Sequence, residues 1–426
     1  MSGIKYFILI LIIQTIKTKK INYLSLPFLQ YSSPEDFSES IQTDYFINMN
    51  IGNPPQKLPL YLSQSLFMTY ISSKESQAQK AGTKYFDWEK STSYHHNESK
   101  QFTYKNNEFK KAYNGYDELK NVMTNFSFLL ITLYEDMIMD FYPGKLGLKG
   151  LGNEEENTQF LKHNFMHQLI NNNIISKSIF TFHFENSTNG NLIFGAYPHE
   201  YNNLYDKNYL TSFNGLTNKE WGINFDSINY DGHEFICIKK GHFLIEFGLI
   251  KAPKNLIEPF QKYFFNYYID KKICSLSSLG YYHFVCDLSF NKSDFKNINL
   301  KLNNENFTFV LDNEMLFETY NNKIYFLLVF GEGNWIFGKP FLQKYEITFD
   351  SDNGQIIWYN KKKNKTTNYL LIIIAVFAII IVILSGIIIY NIYLKINKRK
   401  KRAHELNEDF IYDSTEKINT DIGPIE

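Results

Sequence analysis

Twenty-two consecutive residues without a charge, Tyr369 to Tyr390 (YLLIIIAVFAIIIVILSGIIIY), constrain this chain more than any other stretch. About 20 apolar residues in a helix cross the hydrocarbon core of a bilayer, so the run predicts a transmembrane helix. Lys361, Lys362, Lys363 and Lys365 precede it, and Lys395, Lys398, Arg399, Lys400, Lys401 and Arg402 follow it. With charge on both flanks, orientation is set by the other end of the chain. There a short start carrying Lys5 leads into the apolar run Tyr6 to Ile13, which reads as a secretory signal peptide over residues 1–17. The expected arrangement is single-pass type I, with the body extracellular or in an endomembrane lumen. Residues 395–426 are then a cytosolic tail, and His404 to Glu426, polar and mixed in charge, reads as a solvated disordered segment.

What lies between these segments is long enough for two domains. The chain has 426 residues, 44% hydrophobic and 21% charged, with a formal net charge of zero, so no basic field suggests nucleic acid as a partner. Its 31 tyrosines and 38 phenylalanines suit β-sheet surfaces. Three cysteines (Cys237, Cys274, Cys286) sit in a chain expected to meet an oxidising compartment. Glycosylation sequons occur at Asn97, Asn125, Asn186, Asn291, Asn306 and Asn364, roughly the number that so asparagine-rich a chain produces by chance.

The body is organised around Tyr45 to Ile71. Tyr45, Ile47, Met49 and Ile51 alternate as in a strand, Gly52-Asn53-Pro54-Pro55 makes a turn, and Leu58, Leu60 and Leu62 alternate again. That is a hairpin. Its words go further. Ile51-Gly52-Asn53-Pro54-Pro55-Gln56 resembles the Ile-Gly-Thr-Pro-Pro-Gln signature at the start of the amino-terminal lobe of pepsin-like aspartic proteases. Phe86 to Tyr94 is similar to that family's Phe-x-Pro-x-x-Ser-Ser-Thr-Tyr, and Asp140 to Gly150 to its Phe-Asp-Gly-Ile-Leu-Gly-Leu segment. Phe160, Leu161, Phe165 and Leu169 predict an amphipathic helix within 157–175. Ser178–Phe184 and Gly190–Gly195 resemble the strands between the lobes, and Trp221–Ile228 the first strand of the second lobe. Trp335-Ile336-Phe337-Gly338 with Phe341-Leu342, Tyr345 and Phe349-Asp350 closely matches the family's last motif. These motifs are collinear over most of the body.

The resemblance implies an all-β, bilobal fold with a cleft between lobes at 44–205 and 206–362, followed by the membrane helix at 369–390. It implies a disulfide between Cys274 and Cys286, which flank a short aromatic segment. Tyr104 matches the tyrosine of the flap that closes over substrate, although Lys105, Asn106 and Asn107 replace its glycines; equally, it is one more strand tyrosine. The family's chemistry needs two carboxylates about 3 Å apart sharing a proton. Where the first Asp-Thr-Gly belongs, this chain has Ser63-Gln64-Ser65. No aspartate lies between Tyr45 and Phe86, so no shift of alignment restores one. Where the second belongs stands Phe243-Leu244-Ile245-Glu246-Phe247-Gly248, and the pattern of two apolar residues, an acid, one residue and a glycine assigns Glu246 to the second position, with the following Thr-Ser pair deleted.

Three readings follow. In the first, the chain is a pepsin-like homologue that is catalytically inactive, with a cleft that still binds a peptide or protein ligand by strand addition. In the second it is an active aspartic endopeptidase with an altered dyad. In the third it is a cell-surface structural or adhesion protein. No cofactor is implied, and His95-His96 lacks the companions of a metal site.

Overall fold

The computed structural model describes residues 22–31, 34–76, 84–97, 111–133, 143–149, 158–212, 221–302, 308–361 and 366–420. The signal-like run and Tyr104 lie outside the described residues. The chain divides into two compact units, one ending at Lys361 and the other beginning at Lys362.

The first unit is built on two large sheets. Alternation in the leading hairpin becomes strands Tyr45–Ile51 and Gln56–Ser63, with Tyr45, Ile47, Met49 and Ile51 buried. Gly52 turns between them at φ +89°, a conformation open to glycine because it has no Cβ. These strands belong to a 13-stranded sheet that also takes in Leu24–Gln30, Ile179–Phe184, Asn189–Phe194 and Tyr205–Ser212. The last two strands of the body, Glu346–Asp350 and Gln355–Lys361, return to this same sheet, beside Ile179–Phe184 and Tyr205–Ser212. The second sheet has 12 strands, running from Gly222–Tyr230 to Trp335–Phe337. This all-β, two-sheet architecture is the pepsin-like fold expected from the motifs.

One continuous core joins the sheets and is filled largely by rings. Trp221, Phe180 and Phe349 pack edge-to-face and stacked with centroids 4.9 to 6.0 Å apart, the arrangement that aromatic quadrupoles favour. Here the aromatic composition becomes structure.

One expectation is refined and another is met. The helical run within 157–175 is broken into a 3₁₀ turn, Thr158–His163, and a helix, Phe165–Asn171. Asn164 causes the break: its side chain accepts from His167 N at 3.0 Å as an N-cap and donates to Phe67 O at 2.8 Å. Cys274 and Cys286 are disulfide-bonded, as the resemblance implied, and lie directly opposite in the hairpin Cys274–Leu279 and Tyr281–Asp287. A bridge spanning 12 residues contributes about 3 kcal/mol by chain entropy. Cys237 is free.

The second unit contains one helix, Thr366–Thr420, whose Ile373–His404 portion is long and apolar enough to cross a membrane. The disordered tail expected from His404 is instead helical as far as Thr420. No glycine or proline occurs from Ile387 to Thr420, so nothing in the sequence ends the helix at the edge of the apolar run.

Candidate active site

Two loops with the same pairing frame face each other in the body. In the first half, strand Gln56–Ser63 runs parallel to Gly144–Gly147, which pairs antiparallel with Tyr70–Ser72, itself parallel to Met123–Leu133. In the second half, Lys240–Phe243 runs parallel to Trp335–Phe337, which pairs antiparallel with Ile250–Pro253, itself parallel to Leu328–Gly331. A glycine lies behind each loop for the same steric reason. A Cβ on Gly147 would stand 2.6 Å from Leu66 O and 2.5 Å from Met68 O. One on Gly338 would stand 2.1 Å from Phe247 O and 2.3 Å from Leu249 O.

This repeat fixes which residues correspond. Tyr70 pairs with Lys145, two before Gly147, and Lys251 pairs with Ile336, two before Gly338. Ser63 lies seven positions before Tyr70, and Leu244 seven before Lys251. Ser63 therefore corresponds to Leu244, Gln64 to Ile245 and Ser65 to Glu246. The register differs from the sequence assignment in two ways: Glu246 is the counterpart of Ser65 rather than of Ser63, and no Thr-Ser pair is missing.

The Glu246 carboxylate nevertheless reaches the centre of the site. Its Oε1 accepts from Ser63 Oγ at 2.8 Å, Ser65 Oγ at 2.7 Å and Ser65 N at 3.0 Å. Its Oε2 accepts from Gln64 N at 3.0 Å. In return, Ile245 N donates to Gln64 Oε1 at 2.7 Å. An ionised carboxylate offers about four lone-pair sites, two per oxygen, so Oε1 is saturated and Oε2 keeps about one. Gln64 Nε2 is buried without a partner among the described residues, a cost borne to keep its oxygen on the opposite loop.

Each loop has a different backing. Behind the first, Thr69 N donates to His163 O at 2.9 Å, and the His163 ring lies between Ser127 Oγ at 2.8 Å and Asn114 Oδ1 at 2.7 Å. Burial, reinforced by Lys162, pushes the His163 pKa down to about 3, so the ring is neutral at ordinary pH. Behind the second, Gly248 N donates to Ile41 O and Thr43 N to Glu246 O, both at 3.0 Å. Phe37, Phe247, Leu249, Tyr320, Leu327 and Val329 form an apolar cluster there.

A sequence model of the eukaryotic aspartyl protease family matches residues 44–358. The chain belongs to that family. The comparison with curated proteins gives no match. The aspartyl protease frame accounts for the two glycine-backed loops and for their meeting. Of the residues singled out from sequence, the structure brings Ser63 and Glu246 into direct contact and places the Cys274–Cys286 bridge in the second sheet. Sequence reasoning passed over Gln64, Ser65 and Leu244 as site residues. No sequence signal marks them: residues 63–71 and 244–252 share no identical position, and only the strand register aligns them.

Proposed function

We propose that this family member is a membrane-anchored pepsin-like protein that does not hydrolyse peptides by the two-carboxylate route. Both positions at which the family carries its aspartates are uncharged in this reading, Ser63 in the first loop and Leu244 in the second. The observation that carries it is Glu246, the single carboxylate at the centre among the described residues, held by four donors from the facing loop. Aspartic proteolysis needs one carboxylate to activate water and a second to protonate the leaving group. One carboxylate whose oxygens are already engaged supplies neither role well. The sequence assignment of Glu246 as the second dyad residue leads to the same conclusion by another register. The alternative, an active endopeptidase with an altered dyad, would require Glu246 to act alone.

The cleft between the proposed lobes, 44–205 and 206–362, then serves to bind an extended peptide segment, with Tyr104 contributing at the flap position. The body is placed outside the cell or in an endomembrane lumen, with residues 395–426 cytosolic. Support for this comes from the apolar helix and the disulfide.

The test uses the full-length chain in maltoside micelles with a diverse peptide mixture between pH 3 and 7, read by mass spectrometry. No cleavage is expected from the native chain, and a variant with Ser63→Asp, Leu244→Asp and Glu246→Gly is expected to gain some at acid pH. Cleavage by the native chain that disappears in Glu246→Gln would overturn the proposal.

A further inference from the structure

We propose that a second pocket, walled by the rings of Trp88, Tyr94, His96 and Tyr113, binds an organic ammonium group. The pocket encloses about 400 Å³ and shares no residue with the two loops. Local structure gathers the rings. Strand His95–Asn97 pairs antiparallel with Lys111–Leu119, setting His96 opposite Gly115. A Cβ on Gly115 would stand 3.2 Å from Tyr94 Cε2 and 2.8 Å from Phe128 Cε2, so the missing side chain lets the Tyr94 ring settle onto the strand. Trp88 opens the 3₁₀ turn Trp88–Lys90. Its ring centroid lies 5.9 Å from Tyr94 and 5.7 Å from His96; Tyr94 and His96 stack at 5.5 Å, and His96 meets Tyr113 at 5.9 Å.

Charge complementarity decides the guest. Aromatic faces are negative and attract cations, most strongly when partly desolvated. Glu75, which also lines the pocket, adds a full negative charge and is oriented by Trp88 Nε1, which donates to its Oε1 at 3.2 Å. Lys111 Nζ lies 5.2 Å from the Tyr113 ring centroid, so that ring already has a cation and the guest is left to Trp88, Tyr94 and His96 beside Glu75. An anion would face the Glu75 carboxylate, and a neutral guest would gain nothing from it.

The probe is tetramethylammonium chloride, titrated into the full-length chain in maltoside micelles against sodium chloride at matched ionic strength. Trp221, Trp335 and Trp358 are buried, so a change in tryptophan emission reports on Trp88. The expected result is a saturable change that neopentane-like neutral alcohols of the same shape do not produce. By calorimetry, Trp88→Leu weakens binding about tenfold, in the range of a desolvated cation–π contact. Glu75→Gln, at an exposed side chain, weakens it several-fold and carries the test if the tryptophan variant fails to fold. Absence of saturation, equal binding of the neutral analogue, or unchanged affinity in Glu75→Gln overturns the proposal.

Discussion

The two loops share a pairing frame and differ in everything that frame presents. Ser63-Gln64-Ser65 offers two hydroxyls and two backbone N–H groups; Leu244-Ile245-Glu246 offers two apolar side chains and one carboxylate. In an aspartic protease both loops bring an acid, and like charges at that distance cannot both ionise. Here the first loop sends four donors to the Glu246 carboxylate and Ile245 N donates back to Gln64 Oε1, so the same approach becomes an attractive contact. The difference teaches that the frame and the chemistry are separable. Strand pairing and two glycines build the frame, whereas the chemistry rests on a handful of loop side chains.

The frame is the part most costly to break. Gly338→Ala would drive a methyl against Phe247 O and Leu249 O, main-chain atoms with no freedom to retreat. A loss of about 3 kcal/mol or more is expected in denaturant unfolding. Gly147→Ala meets its carbonyls at slightly longer range and should cost somewhat less. Equal and negligible effects would mean that the loops do not depend on this close approach.

The backing of each loop holds a buried histidine that makes stability depend on pH. The His163 pKa is lowered to about 3 from 6.5, so as pH falls the unfolded chain takes up the proton first. Its contribution is therefore complete above pH 6.5 and lost progressively between 6.5 and 3, at up to about 1.4 kcal/mol per pH unit. Unfolding measured across that window should show a slope that His163→Gln makes shallower. Behind the second loop, His283 packs on Phe37 with ring centroids 4.3 Å apart and burial lowers its pKa too, so His283→Gln should also make the slope shallower.

Much of this was legible in the sequence because the family's motifs record backbone demands. The Gly/Pro turn after Ile51 and the alternating apolar residues from Tyr45 each have a local physical cause, and Gly338 answers to the close approach of Phe247 O and Leu249 O. The uncharged run was equally plain. What could not be read was a contact between residues 183 positions apart, Ser63 and Glu246. Glu246 drew attention because it is acidic, and a local pattern of acid, one residue and glycine assigned it the wrong counterpart. The strand register, which depends on Tyr70 and Lys251 pairing with distant strands, was needed to match Ser63 with Leu244. The length of the final helix was missed for the opposite reason: polar composition was read as disorder where only a helix breaker would have ended the element.

The central claim is that donor and acceptor loops hold each other through Glu246. A double-mutant cycle measures it directly. Ser63→Ala with Ser65→Ala forms one arm, Glu246→Ala the other, and unfolding free energies of the full-length chain give the coupling. Glu246→Ala alone should cost about 2–3 kcal/mol, because four donors lose a charged acceptor at a half-exposed site. The account predicts a coupling of about 1–2 kcal/mol between the arms. Coupling within about 0.3 kcal/mol of zero, the level of independent sites, would contradict it.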